Sequence, residues 1–169
     1  MKGTRLLVFM ALFLAVAVLW QSLRFFVPAL VGPWHIFIVG SLVKTTEVCA
    51  MLVTRHAAAA GIAFLLPVIA FLQGQLPVPP LVPIVGLGGA LYALLAWRGW
   101  ESRLVWLAPL ASTAVFYGGA QLVIRMAELP PIAAYALGIM FGWPQLVTGV
   151  AGIVLARWVF KRLHFANIA

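Results

Sequence analysis

Residues 34–55, WHIFIVGSLVKTTEVCAMLVTR, make an apolar segment of membrane length with Lys44 and Glu47 near its middle. Ionisable groups in hydrocarbon are costly and are normally kept only where they face a bundle interior or an aqueous cavity and have partners. On a helix, positions i and i+3 share a face, so Lys44 and Glu47 can pair with each other while Thr45 and Thr46 point elsewhere. Two readings stand open: a solute site beside this helix, or a buried ion pair that only fixes packing.

The rest of the chain is equally apolar. With 65% hydrophobic residues, 8% charged residues and a mean hydropathy of +1.13 over 169 residues, a soluble fold has too much surface to hide its apolar side chains. An integral membrane protein is expected, as one domain over residues 1–169. The net charge of +8 does not point to nucleic acid, because the cationic residues sit singly between apolar runs. Cys49 is the one cysteine, which excludes a disulfide framework and a thiolate metal site. His35, His56 and His164 lie in different segments without ligand spacing, and no metal site is expected. Lys2, Arg5 and Ala15-Val16-Ala17 imitate a signal peptide, but the apolar run continues through Val18, Leu19 and Trp20, so an uncleaved first membrane helix is expected.

Proline, glycine and basic residues divide the chain into six apolar segments: about 5–24, 34–55, 57–72, 82–97, 104–124 and 132–159. The third contains Pro67, and the last is long enough to tilt or bend at Trp143-Pro144. Six spans put both termini on one side. If that side is cytoplasmic, Lys2, Arg5, Arg55, Arg98, Arg103, Arg157, Lys161 and Arg162 are inside, and only Arg24 and Arg125 are outside. This follows the retention of basic residues on the cytoplasmic face. The connections 28–33, 73–80 and 126–131 are then external. All three bear proline and are nearly uncharged, which suggests that they fold over the outer face and close something. The prolines of 73–80 rule out a helix there.

Enzymatic chemistry finds no support. Gly86-Leu87-Gly88-Gly89 lacks the lysine of a phosphate-binding loop and sits in a membrane helix. Glu47, Glu101 and Glu128 fall in the membrane, an internal turn and an external turn, so no carboxylate pair forms. Ser102 and Ser112 have no neighbouring His and Asp. Polar residues instead gather on the outer halves of helices. Thr113, Tyr117, Gln121 and Arg125 recur at i+4 on the fifth segment. Tyr135 and Gln145 lie on the sixth, Gln73 ends the third, and Trp34 and His35 begin the second. A pocket open to the outside and floored near Lys44 would recruit several of these. The competing reading makes Trp34, Tyr135 and Trp143 interfacial aromatics and the glutamines interhelical bonds. Trp34, Lys44, Glu47, Gln73, Tyr117, Gln121, Arg125 and Gln145 are the candidate solute contacts.

Ala11-Leu12-Phe13-Leu14-Ala15 carries an AxxxA pattern, 66–77 reads LPVIAFLQGQLP followed by Pro79-Pro80 and Pro83, and 143–152 reads WPQLVTGVAG. In these stretches, and in length, helix count and topology over essentially the whole chain, the sequence resembles the substrate-binding S-components of energy-coupling factor (ECF) transporters, a type of ABC transporter. Two positions depart from that pattern. Gly88-Gly89 stands where Gly-Asn is expected, and Lys44 replaces an asparagine often found in the second helix.

The resemblance implies a binding subunit in a prokaryotic plasma membrane. It would capture a vitamin or similar micronutrient from outside and deliver it with a membrane coupling subunit and two cytoplasmic ATPases. ATP and Mg²⁺ would belong to those partners, with no cofactor in this chain. Ala11 and Ala15 would form the flat face on which the coupling subunit docks. A stand-alone secondary transporter using Lys44 and Glu47 as a proton-responsive pair is the alternative, and a structural membrane subunit that binds no solute is a third.

Overall fold

The computed structural model describes residues 3–27 and 33–166; Lys2 and the greater part of the first proline-bearing connection, with Pro28 and Gly32, lie outside the described residues. Within them the chain folds as α1 (Gly3–Phe26), α2 (Pro33–Thr54), a 3-10 turn (Ala57–Gly61) leading into α3 (Ile62–Leu72), α4 (Leu81–Arg98), a second 3-10 turn (Arg103–Trp106), α5 (Leu107–Met126), α6 (Pro131–Met140) and α7 (Trp143–Ala166). Five helical stretches are long and apolar enough to cross a membrane: Gly3–Leu23, Trp34–Thr54, Leu81–Arg98, Arg103–Met126 and Pro131–Arg162. The chain is an all-α, multi-pass membrane protein.

Two segments differ from expectation. The third, Ala57–Leu72, is apolar but shorter than the other five, because its first five residues wind as a 3-10 turn and only eleven form α3. His56 starts that turn by accepting the Ala58 N–H on Nδ1 at 3.1 Å. The last segment does not merely bend; it breaks between Met140 and Trp143. Pro144 is the cause. It has no N–H to give the Met140 carbonyl four residues back, and the Gln145 side chain supplies the missing donor, Nε2 to Met140 O at 3.1 Å.

Proline placement sets the other boundaries. Pro131 opens α6 and Pro83 sits in the first turn of α4, where the backbone N–H groups have no intrahelical acceptor to lose. The end of α3 is a Schellman turn: Gln75 N–H reaches Ala70 O at 2.8 Å and Gly74 N–H reaches Phe71 O at 2.9 Å. Gly74 takes φ +67° there, a conformation that suits glycine. The turn aims the 73–80 connection back across the helix ends, where Leu76 is buried.

α2 lies at the centre, packed against α7, α1 and α4, while α4 also carries α3 and α5. Between apolar helices in lipid the hydrophobic effect adds little, so close fit decides the packing. Glycines supply it. Gly88 of α4 receives the Phe116 ring of α5, and a Cβ on Gly152 of α7 would stand 2.7 Å from Lys44 Cβ and 2.8 Å from the Tyr92 hydroxyl. The hydroxyls of α2 are satisfied locally: Ser41 donates to Phe37 O at 2.6 Å, Thr46 to Leu42 O at 2.9 Å and Thr54 to Ala50 O at 2.7 Å. Thr45 donates to Ser41 O at 2.7 Å and to Gly152 O of α7 at 3.3 Å. α1 is peripheral. Ala17 is buried, with Phe13 and Leu14 packed beside it, whereas Leu7, Ala11, Leu12, Ala15 and Leu19 are exposed.

Gly152→Ala is expected to lower stability by about 1–3 kcal/mol through overpacking. Gly118→Ala, which meets nothing within 4 Å, is expected to be neutral or to gain up to about 1 kcal/mol of helix propensity. Thermal unfolding of both variants in detergent checks the pair.

Candidate functional site

A cavity of about 160 Å³ runs inward from the 73–80 connection to the middle of α2. It is walled by residues of all seven helices, including Gln21 of α1, His35, Val39, Lys44 and Glu47 of α2, Leu66 and Pro67 of α3, Val85 of α4, Phe116 of α5, Met140 of α6 and Gln145 of α7. Gln75 and Leu76 of the connection complete it.

Lys44 and Glu47 do pair. Nζ lies 3.0 Å from Glu47 Oε2, with both residues buried. The ammonium also stands 4.6 Å from the Tyr92 ring centroid and 5.1 Å from that of Phe116, each within cation–π range. Tyr92 is held in turn by its hydroxyl, which donates to Gly149 O of α7 at 2.8 Å. Room for the pair comes from glycine. A Cβ on Gly89 would stand 3.3 Å from Glu47 Oε1 and 3.7 Å from Lys44 Nζ, and Gly152 leaves space over Lys44 Cβ. Lys44 and Gly89 are therefore neighbours in space. A larger side chain at 89 would press on the carboxylate.

Three of the eight candidates line the cavity: Lys44, Glu47 and Gln145. Gln73 lies just outside, its Nε2 donating to Ser22 Oγ at 3.1 Å and its Oε1 accepting from Gln75. Trp34 is 70% exposed, Tyr117 is 49% exposed and Arg125 is exposed, so none of them forms the wall. Gln121 is half-buried against α6, where a Cβ on Gly138 would stand 3.6 Å from its Nε2. The i+4 stripe of α5 thus faces α6 and the surroundings, and the adjacent Phe116 points inward in its place.

Gln21, Gln75 and His35 complete the polar lining and were not among the candidates. Gln21 is 8% exposed; its Nε2 reaches Leu66 O at 3.5 Å, while its Oε1 accepts no hydrogen bond from any described residue. A lone glutamine within an apolar helix is the signal that marks it. Gln75 donates to the Gln21 backbone carbonyl at 3.1 Å, fastening the connection to the end of α1. A second cavity of about 440 Å³ lies between this connection and α6 and shares Gln75 and Met140 with the first. Gln75 and Met140 form the partition between the two spaces.

Comparison with protein-family models, with curated proteins and with solved structures gives no match. The site is read from its own chemistry: a neutralised charge pair, three amides, one histidine and an otherwise apolar wall.

Removing one member of a buried pair leaves an uncompensated charge, so Lys44→Met or Glu47→Leu alone is expected to cost about 3–5 kcal/mol, and the double substitution much less. A double-mutant cycle of unfolding free energies in detergent reads the coupling.

Proposed function

We propose that this chain is the membrane-embedded substrate-binding (S) component of an ECF-type uptake transporter. It spans a prokaryotic plasma membrane six times with both termini cytoplasmic. The 73–80 connection and the start of α6 face outward, and a vitamin-like micronutrient enters the cavity from that side. A membrane coupling subunit and two ATPases, which bind ATP and Mg²⁺, drive its delivery. The chain itself performs no catalysis.

The observation that carries this reading is the cavity within the helix bundle, with a buried Lys44–Glu47 pair on its wall and a glutamine oxygen there that has no partner among the described residues. A purely structural ion pair gains nothing from standing at a cavity, whereas a binding site needs a few convergent polar groups in an apolar lining. Transport also needs a power source, and no phosphate-binding loop stands in the sequence. The exposed Ala11–Ala15 face of α1 supports an external partner, because small residues let another helix approach closely.

Copurification with ATPase and coupling subunits tests the assignment, and uptake by the reconstituted chain alone would favour a secondary transporter. Ala11→Leu with Ala15→Leu is expected to leave folding and solute binding intact, since both positions are exposed, and to abolish ATP-dependent uptake in the assembled complex. Intact uptake would remove the docking role. Lys44→Met with Glu47→Leu should lower solute affinity by at least about tenfold, roughly 1.4 kcal/mol. Gln145→Ala should weaken binding more than Gln121→Ala, with equilibrium binding to the purified chain as the measure.

A further inference from the structure

The chemistry of the wall narrows what it accepts, provided the cavity is the solute site proposed above. Size comes first. A cavity near 150 Å³ accommodates a benzene ring, and this one is about 160 Å³, below the roughly 300–1,000 Å³ of sites for drug-sized ligands. One ring with a small substituent fills it.

Charge comes second. Lys44 and Glu47 already neutralise one another at 3.0 Å, and the other titratable side chain on the wall, His35, is more than two helical turns away along α2. A carboxylate or an ammonium on the solute would make the buried cluster carry net charge, which a low-dielectric interior opposes strongly. A zwitterion would have to part the pair to use it. An uncharged group can bond to the pair as it stands. Lysine has three donors and a carboxylate several acceptor positions, so one contact between them leaves N–H groups and oxygen lone pairs in reserve.

Hydrogen-bond polarity comes third. Gln21 Oε1 is buried without a partner among the described residues, and its Nε2 is directed to Leu66 O. That oxygen calls for an N–H or O–H donor. A purely apolar solute would leave it unsatisfied, at a cost comparable to a lost hydrogen bond.

We propose that the cavity selects an uncharged, single-ring-sized solute whose polar edge carries both a hydrogen-bond acceptor and an N–H or O–H donor. Lys44 meets the acceptor, Glu47 or Gln21 meets the donor, and Val39, Leu66 and Phe116 hold the apolar body. Primary amides and lactam-like rings have this chemistry.

Four probes of one ring size separate the alternatives: benzamide, benzoate, benzylammonium and toluene, each titrated against the purified full-length chain in detergent by calorimetry. Benzamide should bind at least about tenfold more tightly than each of the other three. Gln21→Leu should weaken benzamide by about threefold or more and leave toluene unchanged, since only the donor contact is lost. Tighter binding of benzoate or benzylammonium than of benzamide overturns the selectivity for uncharged solutes and leaves the solute-site reading standing. Equal binding of toluene and benzamide overturns the role of the polar edge. If no probe binds and the Lys44→Met, Glu47→Leu double variant still supports uptake, the cavity is not the solute site and both proposals fall.

Discussion

The ion pair between Lys44 and Glu47 is the constraint to which the surrounding helices conform. Two charges at the middle of an apolar helix must be kept from lipid on every side, and α2 is accordingly packed against α1, α4 and α7. Three helices contribute something the pair requires. α4 offers Gly89 as clearance for the carboxylate and Tyr92 as a ring beside the ammonium; α5 offers Phe116; α7 offers Gly152, which lets its backbone approach Lys44 Cβ. Tyr92 then ties α4 to α7 through its bond to Gly149 O. Where helix association has little hydrophobic driving force, such complementary fits provide much of the specificity.

The cavity owes its other end to two backbone interruptions, both of them written in proline and glycine. The Schellman turn at Gly74 reverses the chain so that Gln75 and Leu76 come over the bundle. The break before Pro144 interrupts the helix at Phe141-Gly142, and Gln145 takes up the Met140 carbonyl that the proline leaves without a donor. Non-helical backbone within a membrane protein is tolerated where protein groups satisfy it. One residue therefore serves the fold and lines the site at once. Effects of changing Gln145 on binding and on stability are coupled for that reason.

Much of this was legible in the sequence. Composition alone requires a membrane protein, since 65% hydrophobic residues in 169 cannot be buried in water. The i, i+3 spacing of Lys44 and Glu47 was enough to foresee their pairing, because helix geometry brings such residues together whatever surrounds them. The 73–80 connection was recognisable as a non-helical cover from its prolines. The α5 stripe was less informative. Thr113, Tyr117, Gln121 and Arg125 share a face by periodicity, but periodicity does not say which neighbour that face meets, and here Phe116, one residue away, is the side chain that points into the cavity.

What the sequence by itself determined is what depends on short range: membrane-length helices, their interruption at prolines and the internal pairing of the two central charges. Tertiary structure alone decided which helices surround the pair, that Gly89 and Gly152 make room for it, and that Gln21, more than twenty positions before Lys44, stands on the same wall. The physical reason lies in the solvent. Lipid leaves the exposed and buried faces of these helices nearly equal in hydrophobicity, as on α1, where Leu12 and Leu19 face outward and Phe13 and Leu14 inward. Facing is then set by shape and by a few polar contacts between helices, and those exist only once the helices have met.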